Sequence, residues 1–213
     1  LVGNILQLVF YGLSVGWMCS ALSLLLLLID WMNEQATRDS LTGLYSRRHV
    51  DQQIAWELQR VSDHDDLLFV IMIDVDRFKS INDRFGHIVG DSALVTVANL
   101  LSSNCRAREF IGRFGGDEFV IVGHAHDRVE VETLISRLHK AARDCNDKDV
   151  APYHISLCMG YALCRPEEHL SSDEIVARAD SFMYQMKSTQ SQANGTSPNA
   201  DGARPGASPR TSA

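Results

Sequence analysis

Two short clusters of carboxylates carry the residue types most able to do chemistry in this chain. The apolar run Leu67–Ile73, LLFVIMI, is short, β-branched and aromatic, and it reads as a buried strand. It stops on Asp74-Val75-Asp76. Further on, Phe110 to Val122 reads FIGRFGGDEFVIV, two β-prone runs around Gly115-Gly116, which is the pattern of a tight hairpin. Asp117 and Glu118 follow the glycines directly. Alone, the second cluster reads better as an ordinary Gly-Gly hairpin with solvated acids, and the first can be a polar strand end followed by a turn. Ionised side chains are rarely buried unless paired or bound to metal. Two acidic strand ends in one domain therefore favour a shared site for a hard cation such as Mg²⁺, which takes carboxylates together with substrate phosphates.

Such a site needs a sheet to present the acids and helices to back it. Apolar spacing predicts a helix over Arg47 to Val61, with Val50, Ile54, Leu58 and Val61 on one face. After the first strand, Phe78 to Gly90 reads as loop and short helix, punctuated by Asn82, Gly86 and Gly90. Asp91 is placed to cap a helix running to about Ser103. Arg128 to Asp144 is amphipathic, Tyr153 to Leu163 reads as a strand, and Ser172 to Lys187 as a last helix capped by Ser171 or Ser172. The order β-α-β-β-α-β is that of a split βαβ, ferredoxin-like core in the α+β class.

The flanks differ from this core. Residues 1–29 carry no charge and end in LLLLLI, enough to cross a hydrocarbon core. A signal peptide would need a basic start and a small-residue cleavage site, and neither is present. We therefore expect a transmembrane helix and interface over 1–32, with Trp31 at the boundary. Residues 33–38 are a short connector, 39–187 the folded domain, and 188–213 a tail too polar to fold. Arg38, Arg47 and Arg48 place the C-terminal side in the cytoplasm. The first residue is Leu and not Met, which suggests a piece of a longer protein. Cys19, Cys105, Cys145, Cys158 and Cys164 show no CxxC spacing and read as reduced thiols. With 45% hydrophobic residues a packed core is feasible, and a net charge of −7 argues against nucleic acid as a partner. An anionic nucleotide would have to be held by local groups and a metal.

Four motifs stand in order: DSLTGLYSRR at Asp39–Arg48, DVDRFKSIND at Asp74–Asp83, Gly86-His87 with Gly90-Asp91, and FGGDEF at Phe114–Phe119. Together they resemble the GGDEF domain of diguanylate cyclases, over about Asp39 to Lys187. The resemblance implies a mostly antiparallel, palm-type sheet with packed helices, and condensation of two GTP into cyclic di-GMP and two pyrophosphates. It implies Mg²⁺, with Mn²⁺ as a substitute, and a homodimer whose two sites face each other at a bacterial inner membrane. By the same resemblance Asp74, Asp117 and Glu118 are catalytic. Asp74, Asp117, Glu118 and the Val75 carbonyl hold metal, with Glu118 also a candidate proton acceptor. Asn82 and Asp91 read guanine, while Phe78, Lys79 and Lys187 contact phosphate. Arg106 and Glu109 correspond to a product-inhibition site, with Glu109 where the family has aspartate. Ser188-Thr189-Gln190 follows Lys187 where the family continues Gly-Arg-Asn, so a phosphate-binding arginine is absent. The alternative is a catalytically weak GGDEF module that binds GTP or cyclic di-GMP as a sensor.

Overall fold

The computed structural model describes residues 2–34, 37–60, 66–148 and 151–193. Its elements are α1 (Val2–Glu34), β1 (Tyr45–Ser46), α2 (Arg47–Arg60), β2 (Leu67–Val75), α3 (Phe78–Phe85), α4 (His87–Asn104), β3 (Phe110–Arg113), β4 (Glu118–Ala125), α5 (Arg128–Asn146), β5 (Leu157–Cys164) and α6 (Ser172–Ala193).

The five strands form one sheet in the order β1-β3-β4-β2-β5. β2 is antiparallel to both neighbours, β4 and β5, and β3 is antiparallel to β4. It follows that β2 and β3 run parallel with β4 between them, while β4 and β5 run parallel with β2 between them. Each βαβ unit is thus split by a strand of the other, giving the mixed α+β architecture expected. β1 was not anticipated. Two residues carry no periodicity, and the strand exists only because Tyr45 and Ser46 pair in parallel with Gly112 and Arg113 of β3.

Strand alternation sorts the core into two layers. Phe69, Ile71, Ile73 and Val75 pack with Leu94, Val97 and Leu101 of α4 and Leu134 and Leu138 of α5. Leu68, Val70 and Met72 pack on the other face with Val50 and Ile54 of α2 and Ile175, Ala179 and Met183 of α6. With both faces covered, β2 is apolar throughout except at Asp74, one residue before its end. α6 lies close on β5, since a Cβ on Gly160 would strike the Met183 and Ala179 backbone.

Helix ends explain three differences from expectation. Gly86, at φ 85°, ends α3 and begins α4, so Asp91 sits inside α4 instead of capping it. Ser171 caps α6: its Oγ accepts from Glu174 N at 3.3 Å, and Glu174 Oε2 accepts from Ser171 N at 2.8 Å, a reciprocal capping box. α6 then runs to Ala193, so residues 188–193, expected in the tail, are helical. The rest of that expected tail, 194–213, lies outside the described residues, as does Val61. α1 continues through residues 33–34 of the expected connector. Within it, Tyr11–Ile29 has a mean hydropathy of 2.1, and its side chains are exposed. It is the one helix among the described residues long and apolar enough to cross a membrane.

Candidate active site

Asp74 leaves the core at the C-terminal end of β2, directly opposite Glu118 of β4 on one side and Cys158 of β5 on the other. Cross-strand partners share a sheet face, here the face covered by α2 and α6. Asp117 lies one residue before β4, and its carbonyl accepts from Val75 N at 3.1 Å, locking the loop to the end of β2. The three expected catalytic carboxylates therefore share one sheet edge, with the Val75 backbone among them.

The loop before them is bent by contact and not by a left-handed turn. Among the described glycines only Gly43 and Gly86 have positive φ. At Gly115 the Glu118 carboxylate folds over the backbone, and a Cβ there would push its Oε2 aside. The backbone N–H groups of Phe114 and Gly115 both donate to the Glu118 carbonyl, at 2.8 and 3.2 Å. Arg113 fixes the loop from below: Nη2 donates to the Gly116 carbonyl at 2.7 Å, and Nη1 pairs with Asp39 at 3.1 Å. Sequence reasoning did not single out Arg113. It also missed Arg47, whose guanidinium stacks 4.3 Å from the Phe114 ring centroid beside Glu118.

Beyond the acids the chain reverses through Arg77, at φ 57°, into α3. Phe78 and Lys79 form the first turn of α3, whose N–H groups have no partner within the helix by geometry and point out of its positive end. Asn82, half-buried, and Asp91, exposed, flank Gly90 across the α3–α4 junction. A Cβ on Gly90 would collide with the Asn82 amide oxygen, so this glycine is what lets the amide lie against α4.

Electrostatics tie the acids together. Burial, then the nearby charge of Asp74, raises the Asp117 carboxyl above its ordinary range, against the pull of Lys187 and Arg113. Glu118 is raised by burial first and then by Asp117, Asp74 and Asp180. The Cys158 thiol behind them is pushed up to about 11 by burial and by the charges of Asp76 and Asp74, so it stays neutral. Lys187 of α6 lies 2.6 Å from Asp74 Oδ1. Burial alone would lower its pKa, but the bond to Asp74 and the charges of Asp74 and Asp76 outweigh that and raise it.

Mutually repelling carboxylates that recruit an ammonium form a site suited to a cation. Among the described residues no group of three His, Cys, Asp or Glu side chains is gathered to hold a metal ion. Mg²⁺ does not need such a cage: one or two carboxylates suffice, with waters and substrate phosphates completing its six ligands. Asp74 with Asp117 or Glu118 fits that requirement.

Arg106 and Glu109 stand apart. Glu109 packs against Gly123, five residues along β4 from Glu118, which is roughly 17 Å at the usual strand rise. They line a cleft of about 370 Å³ with His124, His126, Glu130 and Arg137. There Arg106 is ion-paired with Glu130 of α5, and Glu109 accepts from Arg106 N at 2.7 Å.

Comparison with known proteins identifies the family and the fold. The family described as "Diguanylate cyclase, GGDEF domain" matches residues 36–193. The probable diguanylate cyclase DgcC of Escherichia coli K12 is 33% identical over 153 residues, covering 71% of this chain and 41% of DgcC. The chain thus spans less than half of that relative. A sensory box/GGDEF family protein from Caulobacter crescentus CB15 superposes with a TM-score of 0.64 at 32% identity, over 72% of this chain and 99% of the other. The isolated GGDEF domain of TpbB from Pseudomonas aeruginosa gives 0.65 at 30% identity, over 71% and 89%. With the family pattern matched over residues 36–193, most of its length, this chain belongs to the GGDEF diguanylate cyclase family.

Proposed function

We propose that this protein is a membrane-tethered diguanylate cyclase that condenses two GTP into cyclic di-GMP, built on a ferredoxin-like, palm-type sheet and working as a facing homodimer. The observation that carries the reading is the shared edge: Asp74 and Glu118 are register partners, and Asp117 is bonded through its carbonyl to Val75. Asp74 and Asp117, with the Val75 carbonyl, are the residues that would hold Mg²⁺ or Mn²⁺. When bound, the cation supplies charge neutralisation at the α-phosphate and acidifies the attacking 3′-hydroxyl.

The chain's own residues do the rest. The first turn of α3, at Phe78 and Lys79, offers backbone N–H donors and a positive helix end to the phosphates. Asn82 has both hydrogen-bond senses and Asp91 accepts from guanine N1–H and the 2-amino group. Glu118, with its pKa raised, is suited to take the 3′-hydroxyl proton. One site holds one GTP, so the second arrives on a partner copy. α1 is the membrane tether, with the catalytic domain on the cytoplasmic side, and Arg106 and Glu109 form a separate cleft for product feedback.

The test is cyclic di-GMP formation from GTP and Mg²⁺ by the full chain in detergent. We expect turnover in the parent and none above background in Asp74→Ala/Asp117→Ala, with circular dichroism unchanged because both acids stand at an edge of the sheet. Turnover surviving in the double variant removes the proposed site. Tight GTP or cyclic di-GMP binding without turnover in the parent favours the sensor reading.

A further inference from the structure

The position of Lys187 is more than a phosphate contact requires. Its ammonium lies 2.6 Å from Asp74 Oδ1, and Asp74 is only 14% exposed against 45% for the lysine. An ion pair with one partner this enclosed is not the loosely held surface kind that contributes nothing. The helix that delivers it is fixed just upstream. Gly160 admits the α6 backbone at Met183 and Ala179, and Cys158 Sγ donates to the Met183 carbonyl at 3.5 Å. Lys187 is one turn beyond Met183 on the same face, and Cys158 is the register partner of Asp74. A firmly seated helix thus presents a long, rotatable stem, and the ammonium can change partners without the helix moving.

Resting on the reading of Asp74 as a metal ligand, we infer that Lys187 is a resident counter-ion of Asp74. It releases this carboxylate only when a nucleotide polyphosphate offers its ammonium another anion. Without nucleotide, a divalent cation must displace the ammonium or sit beside it, and the two charges repel. With a triphosphate present, ammonium and cation share a larger negative charge and both are retained. Cation and nucleotide are therefore taken up together, and free cation occupies the site poorly. The same pairing relieves the acids in the nucleotide-free protein: Arg113 acts on Asp117 and Arg47 on Glu118, while Lys187 supplies the positive charge bonded to Asp74.

The test is direct binding of Mn²⁺ to the full chain in detergent, read from the free-ion electron paramagnetic resonance signal, without nucleotide and with a non-hydrolysable GTP analogue. Lys187→Met should tighten nucleotide-free Mn²⁺ binding about tenfold, the order expected for a unit charge some 5 Å from a divalent ion in a largely aqueous setting. It should also shrink the gain in Mn²⁺ affinity that the analogue confers. Lys187→Arg, which keeps the charge, should behave as the parent. If Lys187→Met leaves nucleotide-free affinity unchanged while Asp74→Asn abolishes Mn²⁺ binding, the counter-ion role is wrong and the metal site stands. If Asp74→Asn has no effect with or without the analogue, the metal-ligand reading fails and this inference fails with it.

Discussion

Asn82 shows how much a single neighbour can matter. Its amide lies against Gly90, the residue just before Asp91, so α3 is packed on α4 one position from the second proposed guanine-reading residue. Asn82→Ala removes both hydrogen-bond senses from a site with another acceptor still in place. We expect the preference for GTP over ATP to fall roughly tenfold to a hundredfold, the cost of leaving polar groups of the base unpaired, with Mn²⁺ binding little changed. Competition binding of the two nucleotides measures this, and an unchanged preference removes guanine reading from Asn82. The acids, Asn82, Asp91 and Lys187 were all legible in the sequence as motif members. Their partners were not. Gly90 reads as a helix breaker because sequence shows only that a side chain is missing, not what occupies its space. The Lys187–Asp74 pair spans 113 positions and leaves no local pattern.

At the scale of elements, apolar periodicity located α2 and α5, which each bury one face, and an unbroken apolar run located β2, which is buried on both; Asp127, whose carboxylate accepts from Glu130 N, marks the start of α5. It failed where pairing or capping decides the outcome. β1 is too short to show a period, and residues 188–193, STQSQA, look like tail although they extend a helix already under way. The turn at Asp39 belongs to this scale. Asp39 accepts from Thr42 N at 2.8 Å and Thr42 Oγ1 at 2.6 Å, and it pairs with Arg113, which in turn holds the Gly116 carbonyl. The segment before β1 is thereby wired to the loop carrying Asp117. Burial alone would raise the Asp39 pKa, but the Thr42 hydrogen bonds and Arg113 outweigh it, and the net shift is downward from 3.8. A carboxylate depressed in the fold contributes stability that is present above its unfolded pKa and is lost as pH falls through the folded value. Asp39→Ala should therefore destabilise the domain at pH 7 by about 1 kcal/mol after allowance for solvent screening. The difference in melting temperature should close below pH 3.8. A deficit that persists undiminished in acid would assign the effect to packing and not to the ionised carboxylate.

At the scale of the whole molecule, the question is how one site that holds one GTP completes a two-GTP reaction. Thr37 and Arg38 already belong to the folded domain: Ser46 N donates to the Thr37 carbonyl at 2.9 Å, and Arg38 bridges to Tyr45 and lies over its ring. Only positions 35 and 36 separate them from the end of α1. If α1 lies in a bilayer, two copies are confined to a plane with their domains on short leads. Such confinement raises the local concentration of partner copies without any added contact. Removing the tether should expose the bimolecular step. A fragment from Thr37 onward, kept in its native fold as judged by circular dichroism, should show specific activity that rises with its own concentration between nanomolar and micromolar protein. A dimeric parallel coiled coil in place of α1 should restore activity at the low end, because it returns the second site without altering the first. Asp74→Ala/Asp117→Ala on the same coiled coil should stay inactive, separating dimerisation from chemistry. Specific activity that is flat over this range, in a fragment shown by sedimentation to be monomeric, would mean that one domain suffices and that the facing-dimer arrangement is not how this chain works.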